Sequence, residues 1–372
     1  MCGIYITNIP FVEEDVKTKL ESIRYRGPDH TGIKKVDDLT FGHLRLSILD
    51  LDVRSNQPMQ FDSYTIVYNG EIYNFSDIKS ELELLGHTFN TTGDTEVLLK
   101  GYKEWGQAVV SKLNGMFAFA IYNKIERKVF CARDRFGVKP FYYSWVNGQF
   151  EICSQLRPIC ENKVLNEEAV SMYLDCTYIP SPFTIYKDVF KLAPGKTLEI
   201  NLVSQTLEIK EFWNLDTAVS SNLSYNEAKS KLHELLKDAV KIRLQSDVPF
   251  GSFLSGGIDS ALISAIAAKV SKEQVKTFSI GFEDPKYDES KIASQYAKII
   301  NSTHTETICK AEDILEMIPK LIQVYDEPFG DSSALPSLLL NKVTKQYVTM
   351  ALSGDGGDES FLGYNHFDWV AK

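Results

Sequence analysis

The sequence contains no run approaching the roughly 20 consecutive apolar residues that a membrane-spanning helix requires. Its start, Met1-Cys2-Gly3-Ile4-Tyr5, lacks the basic segment and apolar stretch of a secretory signal, so a cytoplasmic location and no membrane partner are expected. It has no dominant basic cluster either. Fifty acidic residues face 40 basic ones, a formal charge of -10, which argues against a nucleic-acid groove and leaves small molecules as partners. The six cysteines, at positions 2, 131, 153, 160, 176 and 309, show no paired short spacing, so neither a zinc site nor a disulfide framework is indicated. Internal repeats and low-complexity tracts are also missing.

What is present is an ordinary globular composition, 44% apolar and 24% charged, in 372 residues. That length exceeds what one hydrophobic core usually serves, so two domains are expected. Up to about residue 200 the apolar pattern is that of short strands: 39–46, 63–68, 116–122, 128–132, 141–144 and 149–153. Helical signals at 12–22, 76–85 and 94–104 are fewer, as expected if helices cover the outer faces of stacked sheets. From Tyr225 the pattern alternates, with helices at 225–244, 260–270, 289–300 and 311–325 and strands at 251–254, 277–281, 304–308 and 347–352. Such alternation predicts a parallel sheet wound by helices. The serine-rich segment 214–224 divides the two patterns, giving domains 1–213 and 225–372. The second reads as cut short, because the chain stops at 367–372 without a helical stop signal.

Cys2 follows a methionine that is normally trimmed before a small residue, which would leave one residue carrying both a thiol and a free α-amine. With reference pKa values of about 8.5 and about 7.7–8.0, the amine can shuttle the thiol proton near neutral pH. Read alone, Met-Cys is an incidental start. Four further segments change this: Arg26-Gly27-Pro28-Asp29, Arg45-Leu46-Ser47-Ile48, Asn69-Gly70-Glu71-Ile72-Tyr73-Asn74 and Gly93-Asp94-Thr95-Glu96. With 115–120 and 133–140 they resemble, in order and spacing, the glutaminase domain of the N-terminal-nucleophile amidotransferases.

The resemblance implies an α+β four-layer sandwich with Cys2 as nucleophile. Asn69 and Gly70 would form the oxyanion hole, although Asn-Gly is otherwise a good turn between strands. Arg45 and Asp94 would take the carboxylate and ammonium of glutamine, with Leu46, Ser47, Ile48 and Glu71 completing its site. The loop 26–29 would close over it. His43 is read as structural.

In the second half, Ser255-Gly256-Gly257-Ile258-Asp259-Ser260 follows a short strand, Phe253 and Leu254 at its end, and precedes a helix, so its backbone N–H groups can face phosphate. It lacks the Gly-Lys-Ser/Thr ending of a Walker A loop and resembles the pyrophosphate loop of ATP pyrophosphatases, which implies adenylation. Ser353-Gly354-Asp355-Gly356-Gly357-Asp358-Glu359 adds a second glycine-and-carboxylate cluster. The resemblance implies an α/β parallel-sheet domain that binds ATP through residues 253–257, Asp259, Ser260, Ile280, Ser353 and Gly354. Asp355 would lie at the adenylate, and Asp259 and Asp358 would hold Mg²⁺. The stretch 325–333 resembles another shared segment, expected near this site.

A glutaminase joined to a pyrophosphate loop resembles the asparagine-synthetase family. The resemblance implies glutamine, ATP and aspartate as substrates, β-aspartyl-AMP trapped by ammonia, and a homodimer as the assembly to test. Many family members carry glutamate where this chain has Asp355, which keeps open a relative amidating a sugar acid or natural-product precursor. β-Lactam synthetases share the architecture but lack a working glutaminase set. A non-catalytic sensor of glutamine or nucleotide is the reading from another class.

Overall fold

The computed structural model describes residues 1–161, 163–215, 221–364 and 367. Much of the expected boundary, 216–220, and the final residues 368–372 lie outside these. The chain forms two units: residues up to 219 together with Asp326–Gly330, and Ser220–Tyr325 together with Asp331–Lys372.

The first unit holds two six-stranded sheets, each antiparallel throughout. Why they stack is visible in strand Gly115–Asn123, whose two faces are both apolar. Ala118, Ala120 and Tyr122 point into a core shared with Ile4, Ile6, Leu39 and Phe41 of the other sheet. Phe117, Phe119 and Ile121 point the opposite way, into a second core with helices Phe75–Leu84 and Asp94–Trp105. With side chains alternating at period two, a strand apolar on both faces must be covered on both. A third core joins the outer face of the other sheet, through Tyr5 and Leu44, to Val16 and Leu20 of helix Glu13–Glu21. The result is the expected helix–sheet–sheet–helix order.

Strand Gly3–Thr7 lies inside its sheet, between Gln149–Cys153 and Leu39–Arg45, with Gly3 opposite Leu44. That register delivers Cys2 beside Arg45 and Leu46. Asn69 and Gly70, readable as a hairpin turn, instead lie within the nine-residue strand Tyr64–Ile72, Gly70 opposite Phe117. A Cβ at Gly70 would lie 2.3 Å from the Met116 carbonyl oxygen. Glycine is required there by the closeness of the next strand, not by a turn.

The second unit holds four parallel strands in the order Thr303–Cys309, Lys276–Phe282, Phe250–Phe253, Met350–Leu352. Helices Tyr225–Arg243 and Ile258–Val270 cover it around Val240, Ile266 and Val275, and Ser290–Ile299 packs Ala293 and Ala297 against Leu254. No helix among the described residues is long and apolar enough to cross a membrane.

Candidate active site

Cys2 Sγ sits 3.5 Å from the Leu46 backbone N–H and 3.7 Å from the Leu46 carbonyl. Burial pushes the thiol above its ordinary pKa, while the Leu46 N–H and the positive chain terminus oppose the rise. Cys2, Arg45, Leu46, Ile48, Gly70, Glu71 and Asp94 line one pocket together. Of the remaining expected residues, Ser47 and Asn69 are not in its lining. Ser47 is turned to Asp29, whose carboxylate accepts its N–H at 2.7 Å. Asn69 is 1% exposed, and neither its amide oxygen nor its nitrogen has a partner among the described residues. A buried amide without a bond is costly, and such groups mark places where a ligand completes the bonding.

Arg45 is buried, yet no carboxylate pairs with it among the described residues. Its guanidinium donates to the carbonyls of Asp52 at 2.9 Å and Asp50, and to Asn56 Oδ1 at 2.7 Å. Neutral acceptors orient the cation and leave its charge uncompensated. Asp94 opens helix Asp94–Trp105, and its Oδ2 accepts the Tyr68 hydroxyl at 2.7 Å and the Ile72 N–H at 2.9 Å. Burial raises the Asp94 pKa, against which these donors work. Glu71 is pushed up further, by burial and then by the charge of Asp94. The pocket thus sets one uncompensated cation against two carboxylates, a pattern that fits a zwitterionic amino acid.

Several further residues support the site; His43 was read as structural, while Asp134 and Lys139 were only part of a matched run. Buried in the sandwich core, which disfavours the charged ring, His43 donates from Nε2 to the Tyr68 carbonyl at 3.1 Å. It ties the nucleophile's sheet to the strand bearing Asn69. Asp134 accepts four backbone N–H groups, from Phe117, Phe136, Val138 and Lys139. This fixes buried Lys139, whose pKa burial lowers and whose charge acts on Glu71 and Cys2. Only the run 133–140 hinted at them; their partners come from distant strands.

In the second unit the loop after strand Phe250–Phe253 and the loop after Met350–Leu352 leave neighbouring parallel strands at their carboxyl ends, where open parallel sheets bind nucleotides. The Ser255 and Ser260 hydroxyls are 2.8 Å apart, and the Gly257 N–H donates to Ser255 Oγ at 3.0 Å. The Gly256 N–H is taken by the Glu289 carboxylate at 3.1 Å, an anion on a loop expected to receive one. A Cβ on Gly354 would lie 2.7 Å from the Ser260 nitrogen, and one on Gly357 would lie 2.3 Å from Asp259 Oδ2. The two loops therefore touch through glycines. Asp259 lies against Gly357, while the Asp358 carboxylate is turned to the backbone of Gly363. No cluster of three or more metal-ligating side chains occurs among the described residues. One or two hard carboxylates beside a phosphate loop nevertheless suit Mg²⁺, which takes its other oxygens from phosphate and water. Asp355 is exposed and accepts the Ser353 hydroxyl at 3.0 Å. Ile280 is half-buried within its strand. Of the stretch 325–333, the segment Asp326–Gly330 belongs to the first unit.

The family profile described as the glutamine amidotransferase domain matches residues 1–213, and that described as asparagine synthase matches residues 231–371. A Methanocaldococcus jannaschii protein provisionally named as a glutamine-hydrolysing asparagine synthetase is 38% identical over 98% of this chain and 76% of its own length. Bacillus subtilis glutamine-hydrolysing asparagine synthetase 1 is 36% identical over 95% of this chain and 56% of its own. A Penicillium rubens protein named as an amidase, chyE, is 29% identical over 96% and 56%. The chain thus spans little more than half the length of the last two. It belongs to the family of the glutamine-hydrolysing asparagine synthetases.

Proposed function

We propose that this chain hydrolyses glutamine at Cys2 and supplies the ammonia to an aspartate activated by ATP, forming asparagine. The observation that carries the reading is the buried amide of Asn69, without a partner among the described residues, next to a pocket where Cys2, Arg45 and Asp94 converge.

With Met1 removed, the α-amine of Cys2 takes the thiol proton, and the thiolate attacks the carboxamide carbon of glutamine. Asn69 and the Gly70 N–H stabilise the oxyanion; one such donor is worth about 10²–10³ in rate. Arg45 holds the substrate carboxylate, and Asp94 with Glu71 its ammonium; Leu46, Ser47 and Ile48 frame it. The C–N bond breaks, ammonia leaves with the proton from the α-ammonium, and water hydrolyses the thioester to glutamate.

In the second unit the aspartate β-carboxylate attacks the α-phosphorus of ATP and pyrophosphate leaves. Ammonia then displaces AMP from the acyl carbon. Phosphates would lie on the N–H groups of 255–257 and the hydroxyls of Ser255 and Ser260, with Ser353, Gly354 and Ile280 beside the nucleotide and Asp355 at the acyl group. Asp259 and Asp358 would hold Mg²⁺, which offsets phosphate charge when bound. A cytoplasmic location accords with glutamine, ATP and aspartate as substrates.

The test is glutamate release from glutamine by these 372 residues. The wild type is expected to release it and Cys2→Ala, folded, to release none; activity surviving in Cys2→Ala removes the nucleophile from the account. A second reading, amidation of another carboxylate, is favoured by Asp355. AMP formation by the protein over a panel of carboxylic acids decides between them.

A further inference from the structure

The segment Asp326–Gly330 is flanked on both sides by residues of the second unit, yet its own contacts are in the first. It is anchored at three points. Asp326 Oδ2 accepts the Leu156 N–H at 2.8 Å, the Arg157 N–H at 3.3 Å and Gln155 Nε2 at 3.2 Å. Glu327 accepts the Ile185 N–H at 2.8 Å and pairs with Lys191 at 2.7 Å. The Gly330 N–H donates to the Thr177 carbonyl at 2.7 Å, and a Cβ there would lie 2.7 Å from Thr177 Cβ. The Asp326 side chain is 7% exposed and the Glu327 side chain 12%. Two largely buried carboxylates with this many donors make a built attachment, since each would be costly to bury unpaired.

What Asp326 holds leads to the nucleophile. Gln155 donates to Asp326 and, through Oε1, accepts the Tyr25 hydroxyl at 2.7 Å. The two ends of one amide are thereby assigned, and the orientation of Gln155 is fixed. Tyr25 is the middle residue of the turn Arg24–Arg26. The next residue, buried Arg26, donates from Nε to the Cys2 carbonyl at 2.9 Å, while its Nη2 is buried without a partner among the described residues. Behind them, Ser154 Oγ accepts the Ile4 N–H at 3.0 Å, tying residues 154–157 to the strand that begins at Cys2.

We infer that Asp326 is a positioning residue of the glutaminase site: through Gln155 and Tyr25 it sets the turn 24–26 and so seats Arg26 on the backbone of Cys2. A carboxylate within the stretch matched by the asparagine synthase profile thus serves glutamine hydrolysis. This rests on the proposed reaction at Cys2.

The experiment measures kcat and KM for glutamine hydrolysis, with melting temperature, for wild type, Asp326→Ala, Tyr25→Phe and the double variant. Asp326→Ala and Tyr25→Phe are each expected to raise KM by roughly tenfold, the weight of a hydrogen bond to a charged or buried group. The double variant is expected to be no worse than Asp326→Ala alone, because both act through one chain of bonds. A merely structural role would lower the melting temperature without this non-additivity. Wild-type KM in both single variants, or effects that multiply, overturns the inference. Should Asp326→Ala fail to fold, Tyr25→Phe, lacking one hydroxyl, decides it alone by a raised or unchanged KM. A wild type that releases no glutamate instead overturns the proposed reaction, and the inference with it.

Discussion

Burial holds the His43 pKa down to about 3 against an ordinary 6.5. The unfolded chain therefore binds a proton here below pH 6.5 that the folded chain refuses until about pH 3. Stability from this residue is complete above 6.5 and is lost as pH falls through that window, in total about 5 kcal/mol at most. His43→Gln keeps a donor for the Tyr68 carbonyl and does not titrate. In urea unfolding between pH 6 and 4, the slope of stability against pH is expected to fall by about 1.4 kcal/mol per unit in the variant; an unchanged slope would mean that His43 is charged in the fold. Cys2, Arg45, Gly70, Glu71 and Asp94 line one pocket, and that they belong together was legible in the sequence because they sit in short motifs. Tyr68 and Lys139 were not, since each gains its place from a partner strand or loop far along the chain.

At the level of elements, two glycines separate a backbone clash from a side-chain clash. A Cβ on Gly70 meets the Met116 carbonyl at 2.3 Å, and a paired strand cannot give way. Gly70→Ala is therefore expected to destabilise the first unit by about 1–3 kcal/mol and to lower the melting temperature. A Cβ on Gly357 meets the Asp259 carboxylate, also at 2.3 Å, and that group can rotate away. Gly357→Ala is expected to leave the melting temperature nearly unchanged while weakening ATP binding, read by calorimetric titration; the reverse ranking would contradict the contact geometry. The strands Gly115–Asn123 and Gln149–Cys153 were legible as apolar runs. Lys196–Asn201 and Thr206–Glu211 were not, because the latter is the sheet's outermost strand and its side chains are mostly exposed and polar. Gly3–Thr7, no shorter than Gln149–Cys153, was not read as a strand, and Ala334–Thr344 was hidden by Pro336 in its first turn, where proline is tolerated.

At the level of the molecule, the change from short strands to alternating helices and strands made both fold types readable, because side-chain period follows from backbone geometry. The return of Asp326–Gly330 to the first unit was not readable, since its attachment rests on hydrogen bonds and an ion pair to distant residues and not on a periodic pattern. The central claim is that a trimmed chain begins with a nucleophilic cysteine facing a glutamine pocket. A diazoketone analogue of glutamine alkylates such a thiolate with loss of nitrogen, and peptide mass mapping locates the adduct. The account predicts one adduct, on Cys2 of a chain lacking Met1, prevented by excess glutamine; an adduct on another cysteine, or none in a chain that hydrolyses glutamine, would contradict it.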